Sequence, residues 1–145
     1  LVVTVVACIL TIYTDAKWMI IPNWLTYSLI GFGLLYHLVQ GWWAFLSSLM
    51  IGLIVGFFFF IPSILGQVGM GDVKFMTGIG IWSNLLFVIK AFVFATFIAL
   101  FHILALLARR VIVKKQAYRD IRKAAIPYGV SLGLGILIVT VLNSW

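Results

Sequence analysis

Few residues in this sequence are equipped for chemistry. Its 145 residues hold three acids, Asp15, Asp72 and Asp120, and no glutamate. Asp15 and Asp72 each stand where an apolar stretch meets a polar break, in Thr14-Asp15-Ala16-Lys17 and Gly69-Met70-Gly71-Asp72-Val73-Lys74. An ionised carboxylate at such an edge is costly unless it is solvated or paired, so an acid kept there is a functional candidate. A helix cap, or a pair with Lys17 or Lys74, is the plainer use of either acid taken alone. Two carboxylates brought within a few ångströms cannot both ionise cheaply, and one then keeps its proton near neutral pH. That is the acid-base pair of an aspartic protease. The ionised partner takes a proton from a water attacking a peptide carbonyl, while the protonated one donates to the carbonyl oxygen and later helps the amine leave. Neither a metal, a cofactor nor a nucleophilic side chain is needed. Gly69 and Gly71, without side chains, leave room for a substrate backbone beside Asp72.

The other titratable groups offer less. Asp120 lies among basic neighbours and reads as a charge-balancing loop residue. Cys8 is the one cysteine, inside an apolar stretch, which excludes an intramolecular disulfide and a cysteine-based metal site and leaves a small core hydrophobe. His102 has no second histidine at a ligand spacing and reads as a buried, hydrogen-bonded core residue. His37 and Lys90 read as interfacial or snorkelling groups.

The elements that must position the two acids follow from composition. With 65% hydrophobic and 9% charged residues and a mean hydropathy of +1.24, too little polar surface exists to cover a water-soluble globule. A soluble enzyme is excluded. At roughly 20 apolar residues per crossing, the chain holds about six spans. The expected fold is therefore an all-α integral membrane bundle of about six transmembrane helices, one domain over 1–145. The net charge of +7 is concentrated: Arg109, Arg110, Lys114, Lys115, Arg119, Arg122 and Lys123 face only Asp120, leaving a surplus of one elsewhere. A basic run between apolar stretches points to topology or to anionic lipid at residues 109–123, not to nucleic acid.

Segment one runs from Leu1 to about Thr14, short of a full crossing and without an initial methionine, so a few preceding residues are expected. It lacks the basic region and cleavage site of a signal peptide and reads as a genuine span. Ile21-Pro22-Asn23 restarts the chain, with the proline at an early helical position. Span two covers about Trp24 to Val39. Span three covers Trp42 to Ile61, is closed by Pro62, and carries Gly52 and Gly56 at small-xxx-small spacing. Phe75 to Ala108 must hold two spans, with the turn near Ser83-Asn84 and Lys90 as the alternative; the fourth span is short unless it starts near Leu65. The last runs from about Ile126 to Trp145, with Gly129, Gly133 and Gly135 on or near one face. Six crossings put Asp15, Asp72 and the basic run on one side, which the positive-inside rule makes the cytoplasm.

Gly69-Met70-Gly71-Asp72-Val73-Lys74 resembles the Gly-x-Gly-Asp-x-Lys signature of the bacterial type IV prepilin peptidases, within the wider Gly-x-Gly-Asp membrane aspartyl proteases. Asp15-Ala16-Lys17 followed by Ile21-Pro22-Asn23-Trp24-Leu25-Thr26 is similar to that family's first aspartate and its Ile-Pro-Asn-x-Leu-Thr tail. Gly80-Ile81-Trp82 resembles the end of its fourth helix, and Ile126-Pro127-Tyr128-Gly129 the Pro-aromatic-Gly opening of its last. The matches span nearly the whole chain in order. The resemblance implies an endopeptidase of the inner membrane that removes the short basic leader of prepilins or pseudopilins at the cytoplasmic face, after a glycine and ahead of the apolar segment. It implies Asp15 and Asp72 as the catalytic pair, Gly69 and Gly71 as loop-shaping, and Lys74, Lys17, Pro22 and Asn23 as supporting residues, with Lys74 tuning Asp72 or balancing charge. Longer members carry an N-terminal region with paired cysteines and methylate the new pilin terminus. This sequence has a single cysteine, inside a span, which speaks against methylation, and it resembles the short, peptidase-only branch that serves tight-adherence pili and related systems.

Rival readings make different demands. A proton-coupled transporter calls for acids deep in the membrane and for inverted repeats, and the sequence has neither. A non-catalytic assembly scaffold needs neither acid. A Gly-x-Gly-Asp protease cutting other membrane substrates, within transmembrane helices, calls for a Tyr-Asp motif inside the first catalytic helix and for more spans.

Overall fold

Long runs of Leu, Ile, Val and Phe leave the backbone little to bond but itself, and in an apolar surround a helix satisfies every peptide group within one segment. The structure, a computed structural model, describes residues 2–66, 68–113 and 128–143. Most of the basic run, with the lipid contact expected there, lies outside the described residues, as does Ile126-Pro127. Among the described residues there are six helices and no strand: α1 (Val2–Trp18), α2 (Asn23–Gln40), α3 (Trp42–Ile64), α4 (Met70–Trp82), α5 (Leu85–Val113) and α6 (Tyr128–Leu142).

Three boundaries differ from the sequence reading. Helix α1 does not stop at Thr14, because nothing in Asp15-Ala16-Lys17 breaks a helix; it ends at Trp18, and Met19 turns the chain with a positive φ of 52°. Asp15 therefore rides on a helix rather than a loop. Pro22 stands just before α2 rather than in it, its carbonyl accepting the N–H groups of Leu25 and Thr26 at 3.1 and 3.3 Å. Pro62 does not close α3, which continues to Ile64; its ring nitrogen has no N–H to give the Phe58 carbonyl, and the helix ends within one turn of it. The glycine-rich segment at 69–72 is also helical: Gly69 caps α4 and Asp72 lies in its first turn. The turn at Ser83-Asn84 falls where expected, with Asn84 Oδ1 accepting the Phe87 N–H at 2.8 Å, and Lys90 lies inside α5.

Helices α3 and α5 are long and apolar enough to cross a membrane. Their large side chains point outward; Phe57, Phe97 and Phe101 are 68%, 67% and 76% exposed. Thr4, Thr11, Thr26, Ser48, Ser131, Asp15 and Asp72 are buried instead. Apolar bulk outside with small and polar residues inside is the arrangement that suits packing in lipid, where helices associate by close contact. Helix α4, only 13 residues and about 20 Å long, is the most enclosed, with Phe75, Met76 and Ile79 fully buried. It seats in the Gly52/Gly56 notch of α3: a Cβ on Gly52 would stand 2.6 Å from Ile81 Cγ1 and one on Gly56 2.7 Å from Thr77 Oγ1. Helix α6 packs between α1 and α5. Its three glycines do not share a face. Gly129 and Gly133 meet Asp15 and Ile12 of α1, whereas Gly135 meets Ala91 and Ala95 of α5, since four residues return to one side of a helix and two more turn to the other.

Candidate active site

Helix α1 delivers Asp15, 6% exposed, to the first turn of α6. Its Oδ2 accepts the Val130 N–H at 3.0 Å, and the Gly129 N–H also faces it. The first N–H groups of a helix have no partner within it, and that end carries the positive pole of the helix dipole. A carboxylate from α1 thus caps α6. The approach depends on Gly129, where a Cβ would lie 2.9 Å from both Cγ and Oδ2 of Asp15.

Asp72, 8% exposed, comes from the first turn of α4, where its Oδ2 accepts the Gly69 N–H at 3.3 Å. The negative charge of Asp15 acts on Asp72, so two carboxyl groups separated by 56 intervening residues share one electrostatic environment. A single wedge joins their supports. A Cβ on Gly71 would stand 3.2 Å from Ile21 Cβ, and one on Gly129 3.2 Å from Ile21 Cδ1. Ile21, buried in the α1–α2 connection, therefore touches the residue next to Asp72 and the residue facing Asp15. Tyr128, at the start of α6, is half-buried beside this site, and its hydroxyl meets the side chain of Thr96 on α5.

The supporting residues divide. The Lys74 ammonium donates to Asn23 Oδ1 at 2.9 Å and lies 4.9 Å from the Tyr27 ring centroid, so its partners are on α2. This contact clasps the Gly-x-Gly-Asp-x-Lys segment to the Ile-Pro-Asn segment, and with them Pro22 at the same end of the bundle. Lys17 is exposed on the outer side of α1, its ammonium 4.7 Å from the Trp18 ring centroid and 3.4 Å from the Tyr13 hydroxyl. Of the other histidines and lysines, His102 is half-buried, and His37 is not a free snorkelling group: its ring lies beside Tyr36 and Trp82 and its Nε2 is buried. Sequence reasoning did not find the backbone amides of α6, nor Ile21 as a wedge. The motif Ile21-Pro22-Asn23 held the signal for the latter, but a backbone donor leaves no mark in residue type.

A carboxylate held by backbone amides and a second carboxyl at the same end of the bundle can divide base and acid between them. The glycines do not leave the expected free space: Gly71 packs against Ile21, Gly69 against Asp72 and Gly129 against Asp15, so their role here is close packing around the acids. No curated protein and no solved structure matches the chain. The sequence profile of the type IV leader peptidase family, however, matches residues 2–104, more than two thirds of the chain with both aspartates included, and the chain belongs to that family.

Proposed function

We propose that the chain is an aspartyl endopeptidase of the inner membrane that removes the basic leader of type IV prepilins or pseudopilins at the cytoplasmic face. The observation that supports this reading is that Asp15 and Asp72, each held by a backbone N–H, are backed by one buried side chain, Ile21, which meets both Gly71 and Gly129, in a member of a leader peptidase family. Asp15, at the positive end of α6, carries the charge and acts as base; Asp72 carries the proton. Water attacks the scissile carbonyl carbon as its proton passes to Asp15, and the Asp72 proton passes to the carbonyl oxygen, giving a neutral gem-diol. On collapse the carbon–nitrogen bond breaks, the amine takes the proton from Asp15, and a gem-diol proton returns to Asp72. Both carboxyl groups end as they began.

The membrane reading extends the same logic. All six helices cross or line the bilayer, with α3 and α5 as its outer staves, and the acids lie at the cytoplasmic boundary where Lys17, Lys74 and the basic run also fall. That boundary is where a basic leader ends and an apolar pilin segment begins. The run at 109–123 sets topology and meets anionic lipid. The test is direct: the chain is reconstituted in proteoliposomes with a prepilin, and the products are weighed by mass spectrometry. One cut between the basic leader and the apolar segment is expected; a prepilin that stays intact at every enzyme concentration contradicts the reading.

A further inference from the structure

The end of the bundle away from the aspartates is not flush. Helix α4 stops at Trp82, whose indole N–H donates to the Leu29 carbonyl in the middle of α2 at 2.8 Å. A Cβ on Gly33 would stand 2.8 Å from that indole nitrogen, and one on Gly52, in the middle of α3, 2.6 Å from Ile81. Leu29 is level with Gly78, and Gly33, level with Ile81 and Trp82, lies seven residues before the end of α2 at Gln40, while Gly52 lies ten residues after the start of α3 at Trp42. At 1.5 Å per residue, the α2–α3 hairpin therefore rises about 10 Å beyond the turn between α4 and α5. That is a third of the thickness of a bilayer core of about 30 Å. The non-helical turn at Ser83-Asn84 is sunk to this depth.

Beside it lies a cleft of about 210 Å³ lined by Thr4 of α1, Trp82, Ser83 and Asn84 of the turn, Phe87 of α5, and Thr140 and Asn143 at the end of α6. Two amides and three hydroxyls lie along it; Ser83 and Thr140 donate to the carbonyls of Ile79 and Ile136 and Asn84 Oδ1 accepts the Phe87 N–H, which leaves their remaining lone pairs and the two amide NH₂ groups for water. The cleft between α3 and α5, about 230 Å³, is lined instead by Ile, Val, Leu and Phe alone. Irregular backbone at membrane depth is tolerated where it is covered by protein or lines a water-filled cavity, and a polar cleft of this volume holds several waters. We propose that this cleft is a hydrated vestibule, open on the membrane face opposite Asp15 and Asp72, that binds water and small uncharged hydrogen-bonding solutes. It leaves only the stretch of α4 from Phe75 to Trp82, about 10 Å, as the barrier between the two faces.

The sidedness of the vestibule rests on the orientation given under Proposed function; its hydration does not. Cys8 is the chain's one cysteine, so a Cys8→Ala background carries single cysteines at Asn84 and Asn143 in the cleft, at Leu86 on the outward face of α5 at the same depth, and at Trp42 on the hairpin end. A membrane-impermeant maleimide is added to intact cells and, separately, to inverted vesicles. Only a thiolate in water reacts, so N84C and N143C are expected to label from outside the cell at least about tenfold faster than L86C. Labelling of W42C with none at N84C or N143C overturns the vestibule and leaves the orientation standing; L86C labelling as fast as N84C overturns it too. Fast labelling of N84C and W42C from the cytoplasmic side alone upholds a hydrated cleft and overturns the orientation. Ser83→Cys replaces N84C should loss of the Asn84 cap keep that variant out of the membrane.

Discussion

Gly129→Ala places one methyl group against the catalytic carboxyl. Its Cβ would stand 2.9 Å from Cγ and Oδ2 of Asp15, against an ordinary contact of 3.4 Å or more, so the carboxyl or the first turn of α6 must retreat by about half an ångström. Ile21 Cδ1, 3.2 Å away, closes one direction of retreat. The movement stretches the 3.0 Å bond from Val130, and losing a hydrogen bond to a charged group costs about 1.5–3 kcal/mol. Expressed at the transition state, that is a fall of about 10- to 100-fold in kcat, a range consistent with the penalty for misplacing a reacting group by a fraction of an ångström. The assay is the initial rate of leader removal by the membrane-embedded protein, normalised to folded enzyme. Gly31→Ala is the control, since nothing lies within 4 Å of its Cβ and alanine favours the helix. G31A is expected to keep its rate. G129A cleaving within about twofold of wild type would refute the claim that the α6 amides hold Asp15 in its working position.

Three further outcomes are expected. Lys74→Met and Asn23→Leu each loosen the clasp between α4 and α2, and in a double-mutant cycle read by thermal unfolding in detergent the two couple by about 0.5–1 kcal/mol, the modest value of a partly exposed contact; additive losses would show that the contact does not tie the segments. Gly52→Val drives two methyls into Ile81 and lowers stability by about 1–3 kcal/mol, the cost of overpacking, read in the same way; a variant as stable as wild type would show that α4 does not seat in that notch. Neutralising the seven basic residues between Arg109 and Lys123 disturbs insertion or lipid association but leaves cleavage by correctly inserted protein intact, and total loss of activity in that fraction would contradict a role confined to topology and lipid.

The periodic and compositional parts of this fold are legible in sequence because they rest on local physics. The turn at Ser83-Asn84 declares itself through a capping asparagine, and the Gly52/Gly56 notch through its spacing. Boundaries set by polarity alone were less secure. Thr14-Asp15 marks the end of an apolar run, but polar residues such as alanine's neighbours Asp15 and Lys17 do not break a helix, so α1 goes on to Trp18. The glycines at 69 and 71 resemble loop residues and instead begin α4, where glycine is tolerated as a cap. Pairings between distant segments were the least legible. Both aspartates stand out by rarity, yet nothing in residue type says that Asp15 meets the amides of Gly129 and Val130, that Lys74 turns to Asn23, or that Gly129 and Gly135 face different helices. Those facts depend on how the helices are rotated against one another, and a sequence rich in apolar residues on every face leaves that rotation unspecified.

The central claim is that Asp15 and Asp72 act as one catalytic unit, and Asp15→Asn, Asp72→Asn and the double variant test it in one assay of prepilin cleavage in membranes. Each single variant is expected to lose cleavage by about 10³-fold or more, and the double variant to lose little beyond either, because groups that work as a unit are not additive. Full cleavage by either single variant, in protein that inserts and folds normally, would contradict the account.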